Sequence, residues 1–125
     1  MYPQDLLYTD QHEWIRVVGQ NAIVGISEHA QKQLGDLTFV ELPAVGKKLV
    51  KGSEACALES CKAAASVFAP ASGTVTEVNQ SLAGDPGLIN RDCYGQGWIF
   101  KMKIDKPAEQ TELMKSDAYA KFLGE

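Results

Sequence analysis

The stretch ALESCKAAAS, residues 57 to 66, sets a single lysine, Lys62, among alanine, serine and cysteine. An amine in that setting has two uses. Left free, it keeps a loop in water, which is the commonest fate of a surface lysine. Displayed as a nucleophile, it can be acylated by another protein. That use needs small neighbours that leave room for a grip, and no adjacent carboxylate to pair off the charge. Cys61, Ala63, Ala64 and Ala65 satisfy the first need, and no Asp or Glu adjoins Lys62. The segments on either side, ACALES (55–60) and SVFAPA (66–71), read as strands, so CKAAA becomes the turn of a hairpin with Lys62 near its tip. Alternation along the first arm puts Cys56 and Leu58 on one face and Ala55, Ala57 and Glu59 on the other, which fixes the register of a half-buried hairpin. The pattern therefore predicts a lysine held outward on a stiff support and offered for covalent modification.

The support must come from the rest of the chain, which is dominated by short β-type segments. HEWIRVV (12–18), AIVGIS (22–27), LTFVELP (37–43), GTVTEVN (73–79) and WIFKMKI (98–104) join the two arms, punctuated by Gly19, Gly46, Gly52, Gly73 and Gly97 at spacings too short for crossover helices. This suggests a small antiparallel sandwich or barrel. SEHAQKQLG predicts a helix of about two turns, with Ser27 as N-cap, Glu28 in the first turn and Gly35 just past the end. After Asp105 the period changes. Pro107 suits a helix start, and Leu113, Met114, Ala118, Tyr119, Phe122 and Leu123 recur at helical spacing, with a break expected near Ser116 and Asp117. The connection at 81–97 holds too many glycines and turn formers for a long regular element, and a connection that long needs a reason. Trp14 and Trp98 read as core or half-core anchors.

Composition narrows the function. Twelve Lys and Arg against sixteen Asp and Glu give a net charge of −4, without the dense basic footprint of a nucleic-acid binder. No apolar run approaches the roughly eighteen residues of a membrane span, and MYPQDLLYTD lacks the features of a secretory signal. Cys56, Cys61 and Cys93 are odd in number and lack CxxC spacing, so reduced thiols in a reducing compartment are expected rather than disulfides or structural zinc. His12 and His29 stand far apart in sequence and from any cysteine cluster, which favours a surface or cleft-lining role over metal binding. No serine sits in a G-x-S-x-G context.

Taken in order, YTDQHEWIRVVGQNAIVGISEHAQKQLGDLTFVELPAVG, ESCKAAASVFAPASGTVTEVN and GLINRDCYGQGWIFKMKI cover almost the whole chain and resemble the H protein of the glycine cleavage system. The resemblance implies one domain over 1–125: a mainly β barrel-sandwich hybrid core of about 12–104, a short helix in the N-terminal half and a C-terminal helical segment of about 107–123. It implies lipoate in amide linkage to Lys62, with Glu59 read by the modifying enzyme, a lipoate ligase or octanoyltransferase. It also implies three partners: the pyridoxal-phosphate glycine decarboxylase (P protein), the tetrahydrofolate-dependent aminomethyltransferase (T protein) and the flavin dihydrolipoamide dehydrogenase (L protein). A carrier of this kind is not an enzyme. The expected location is a bacterial cytoplasm, which the start methionine without an arginine-rich leader favours, or the mitochondrial matrix in a eukaryote.

Such an arm must visit three active sites, and the amine it carries is lost if water reaches it. A cleft on the carrier with a carboxylate inside suits that cation, and by resemblance Glu13 of HEW is its candidate, against the plainer reading of a solvated strand residue. The chain departs from the family pattern at two positions. Ser66 stands where an aspartate is expected, which removes a charged contact from the cleft. Cys61 stands where a valine is expected, either as a small apolar substitute or as a thiol able to exchange with the lipoyl sulfurs. A biotin carrier fits poorly, because methionines do not flank Lys62. The same fold would also serve an H-like relay that passes lipoyl groups to 2-oxoacid dehydrogenase subunits, or an unmodified β interaction domain.

Overall fold

The computed structural model of the chain describes residues 2–124. In chain order the elements are β1 (Leu7–Tyr8), β2 (Glu13–Val18), β3 (Asn21–Ile26), α1 (Glu28–Leu34), β4 (Leu37–Glu41), β5 (Lys48–Leu49), β6 (Glu54–Ser60), β7 (Ala64–Phe68), β8 (Gly73–Val78), α2 (Ser81–Gly84), α3 (Leu88–Arg91), β9 (Phe100–Ile104), a 3₁₀ helix (Pro107–Glu112) and α4 (Ser116–Phe122). The strands make two antiparallel sheets, β1-β2-β3-β9-β8-β5 and β4-β6-β7. Ile15, Val24, Phe100 and Met102 of the first meet Val40, Leu58 and Val67 of the second in one buried cluster. This is the expected mainly β hybrid of two sheets, and they do not close into a barrel.

Alternation fails where the six-stranded sheet is covered on both faces. Glu13, Trp14 and Ile15 are buried in succession. Ile15 joins the cluster between the sheets, whereas Trp14 points the other way into a second cluster with Tyr2, Leu6, Tyr8 and Tyr119. Tyr119 of α4 stacks on Tyr8 with ring centroids 4.6 Å apart and planes 5° from parallel. The indole N–H of Trp14 donates to the carbonyl of Cys93 at 2.9 Å. The tail thus packs on the sheet through Tyr119, and Phe122 of the expected stripe stays half-exposed.

Several boundaries differ from the sequence reading for identifiable reasons. The two-residue strands β1 and β5 are too short to carry a period. β1 exists because it pairs with β2 and, through Tyr8, with Met114, which extends the β core below residue 12. A bulge between Glu54 and Cys56 buries Ala55 and Cys56 together, so Ala55 does not face outward with Ala57 and Glu59. β7 starts at Ala64, and Trp98 precedes β9 half-buried, with Lys101 Nζ 4.9 Å from its ring centroid. The break in the tail falls at residues 113–115. Ser116 is the first residue of α4 rather than its cap, which is Lys115 without a side-chain bond.

Gly73, which follows Lys62 by eleven residues, opens β8 where the carbonyl of Lys103 passes too close for any side chain. Gly73→Ala is expected to push β8 off β9 and destabilise the fold by about 3 kcal/mol, seen as a lower urea midpoint with unchanged slope; a midpoint at the wild-type value would contradict this close approach.

Candidate functional site

The hairpin of β6 and β7 is paired from Glu54↔Phe68 to Glu59↔Ala64. Its turn is closed by the Ser60 N–H donating to the Ala63 carbonyl at 2.8 Å, and the Ser60 hydroxyl accepts from Ala63 N–H at 3.1 Å and donates to the Ala63 carbonyl at 3.2 Å. Cys61 and Lys62 form the exposed tip of this well-bonded turn. Among the described residues Lys62 takes part in no hydrogen bond or ion pair, which leaves its amine open to a partner. Glu59 is exposed on the outer face, opposite Ala64 on one side and Phe39 on the other.

Beside the tip runs a cleft of about 410 Å³, walled by α1 (Ala30, Gln33, Leu34) and by the inner side of the hairpin with Ala63, Ala65 and Val67. Ile26 and Leu58 add to an apolar lining, and Glu13 and His12 close the other part of the wall. α1 stands where its caps put it: the Ser27 hydroxyl accepts from Ala30 N–H at 3.3 Å and the Gly35 N–H donates to the Gln31 carbonyl.

Glu13 is buried, which removes the reading of a solvated strand residue. One carboxylate oxygen accepts from the Thr9 hydroxyl at 2.6 Å and the other from the Phe68 backbone N–H at 3.2 Å. Burial raises its pKa above the ordinary carboxylate value, with these two hydrogen bonds working in the opposite direction. The residue before it, His12, has a φ of +73°, a left-handed conformation held within the tight turn of Thr9 to Glu13. His12 Nδ1 shares a hydrogen bond with the Tyr119 hydroxyl at 2.8 Å, and that hydroxyl also bonds to Ser27 Oγ at 2.7 Å. One tail hydroxyl therefore ties the turn beside Glu13 to the start of α1.

The structure places the remaining candidates as follows. Ser66 lines the cleft and donates its hydroxyl to the exposed Glu54 at 2.5 Å, so a carboxylate stands beside position 66, although Glu54 itself is not part of the cleft lining. Glu54 was not legible as a site residue, since only the strand register brings it across to Ser66. Cys61 is exposed, whereas burial pushes the thiols of Cys56 and Cys93 up to about 12. His12 and His29, apart in sequence, bring their rings within 4.6 Å, and burial and then His29 lower the pKa of His12. Among the described residues no group of three or more His, Cys, Asp or Glu is disposed to hold a metal. Nor is any helix long and apolar enough to cross a membrane.

The sequence profile of the family described as glycine cleavage H-protein matches residues 6–125. The chain belongs to that family. It is 54% identical to the glycine cleavage system H protein of Xanthobacter autotrophicus, with 93% of each chain covered, and 51% identical to that of Xanthomonas campestris, covering 97% of this chain and 93% of that one. It is also similar to the crystal structure of a glycine cleavage system H protein from Mycobacterium marinum, at 36% identity and a TM-score of 0.91 over 98% of this chain and 99% of that one.

The raised pKa of Glu13 carries a stability signature. Above its ordinary value of 4.5 the unfolded chain has released the proton that the folded chain still holds, so this part of the stability is full below that pH and is lost as pH rises through the higher folded value. Urea midpoints of the wild type minus those of Glu13→Gln are expected to fall as pH rises from about 4.5; a difference that stays flat or rises would contradict the burial cost assigned to Glu13.

Proposed function

We propose that this chain is the lipoylated carrier subunit of the glycine cleavage system, with lipoate joined as an amide to Nζ of Lys62 by a lipoate ligase or octanoyltransferase. Through that arm it serves glycine decarboxylase, aminomethyltransferase and dihydrolipoamide dehydrogenase. The observation that carries the reading is an exposed, unpaired lysine on a well-bonded tip beside a mainly apolar cleft with a buried carboxylate in its wall. When attached, the lipoyl group would supply the disulfide that accepts the aminomethyl group of glycine and, as the dithiol, would pass two electrons on, and the catalysis belongs to the partners.

The residues of the chain fit that group. A cleft of about 410 Å³ lies within the range that holds small organic ligands. Ile26, Ala30, Leu34 and Leu58 offer methylenes a surface away from water, and Glu13 offers a cationic amine a desolvated carboxylate whose ionised form the cation stabilises. Excluding water there protects a hydrolysable amine. Ser66 holds Glu54, a negative charge outside the cleft lining, next to the position where an aspartate is expected. Glu59 stands in the open three residues before the lysine, where an enzyme gripping the tip meets it. Cys61, equally open, is the thiol placed to exchange with the arm under oxidising conditions.

Lys62→Ala is expected to fold with wild-type stability and to lose both lipoylation and support of glycine cleavage, whereas activity retained in that variant would overturn the proposal. Glu13→Ala is expected to be lipoylated normally and to release ammonia from the loaded arm about tenfold faster, the lower end of what losing one charged hydrogen bond gives. An unchanged release rate would remove the cleft from the mechanism. A fully lipoylated chain inert in glycine decarboxylase exchange, yet able to pass its lipoyl group to 2-oxoacid dehydrogenase subunits, would instead mark a relay.

A further inference from the structure

A tip lysine with four side-chain torsions would sample most directions, so something must turn the arm toward the cleft rather than away from it. The point where a Cβ would sit on Gly35 has three Lys62 atoms as its nearest neighbours: Cε at 3.0 Å, Nζ at 3.6 Å and Cδ at 3.8 Å. Gly35 ends α1 with φ +77° and ψ −162°, a backbone region essentially reserved for glycine. That conformation explains the glycine but not why the aliphatic stem of Lys62 occupies the space above it.

The Gly35 backbone is fixed from α3. Asn90 Nδ2 donates to the Gly35 carbonyl at 2.9 Å and to Gln31 Oε1 at 3.0 Å, and its Oδ1 accepts from Leu37 N–H at 2.9 Å. One side chain thus ties the last turn of α1 to the first residue of β4, on both sides of Gly35. Leu34, the neighbour of Gly35, and Ala63, the neighbour of Lys62, line the same cleft. A stem lying across Gly35 therefore starts at the edge of the cleft that Leu34 and Ala63 form.

We propose that Gly35, clamped by Asn90, is a saddle for the methylene stem of Lys62 and turns whatever its Nζ carries toward the cleft. The proposal rests on the function proposed above for its purpose, but not for its first test. Gly35 and Asn90 are positioning residues. A methyl group at position 35 would sit against Cε at less than van der Waals distance and lift the stem, and loss of the Asn90 amide would free the saddle itself.

The test uses the full chain labelled with ¹³C and ¹⁵N at lysine. In the unmodified wild type, the ε-methylene of Lys62 is expected to show a nuclear Overhauser effect to the Gly35 α-protons and slower motion than the exposed Lys121. Both are expected to weaken clearly in Asn90→Ala and Gly35→Ala. After modification with lipoate, ATP and lipoate ligase, with intact mass showing completion, contact between arm methylenes and Leu34 methyls is expected to fall about fivefold in each variant, the factor that roughly 1 kcal/mol of lost bias gives. A wild-type Lys62 as mobile as Lys121, or folded variants with undiminished arm contact, would overturn the saddle. If either variant fails to fold, judged by the amide shifts of α1, the wild-type measurement decides alone. If the wild type takes no lipoyl group, the proposed function fails while the stem measurement still stands or falls by itself.

Discussion

The bond from the Phe68 backbone N–H to the Glu13 carboxylate joins the two sheets at the place where the site is built. Glu13 belongs to the strand entering the six-stranded sheet, and Phe68 ends the arm of the hairpin that displays Lys62. A buried carboxylate left without donors is costly, so this bond and the Thr9 hydroxyl together oblige the hairpin and the 9–13 turn to stay in register. That one requirement fixes the spacing between the display tip and the carboxylate, and the cleft is the space it leaves under α1.

The rest of the chain maintains that spacing. Tyr119 comes from the far C-terminal end and holds His12 and Ser27 through one hydroxyl, so the tail braces both the turn that presents Glu13 and the helix that walls the cleft. Asn79 fixes the far end of the long connection by donating to the carbonyls of Gln96 and Trp98, and Asn90 fixes its middle against α1. The 81–97 stretch, irregular in sequence, is a set of polar anchors around two single-turn helices. Its length is spent on clamping α1 rather than on a lid.

How much of this the sequence disclosed depends on how local the signal was. The Ser27 and Gly35 caps of α1, the break in the tail and the hairpin around Lys62 were legible, because caps, turn residues and alternation are written in consecutive positions. The bulge that buries Ala55 with Cys56 was not, since a bulge is set by the partner strand. The burial of Glu13 could not be read from its strand either, because a charged residue in an alternating segment looks solvated until a second layer covers it. The Ser66–Glu54 bond, the meeting of His12 with His29 and the approach of Lys62 to Gly35 all depend on register or on tertiary packing between distant segments. The resemblance to a family pointed to Glu13 where the residue pattern alone did not.

A carrier of this design has little chemistry of its own. In the proposed function its physical task is to keep an amine exposed for acylation and, in the same region, a desolvated carboxylate in an apolar recess. The most direct measurement is intact mass with peptide mapping of the chain purified from its native source. The account predicts one added lipoyl group, located on Lys62 and absent from the other lysines. An unmodified chain, or a lipoyl group on a different lysine, would contradict it.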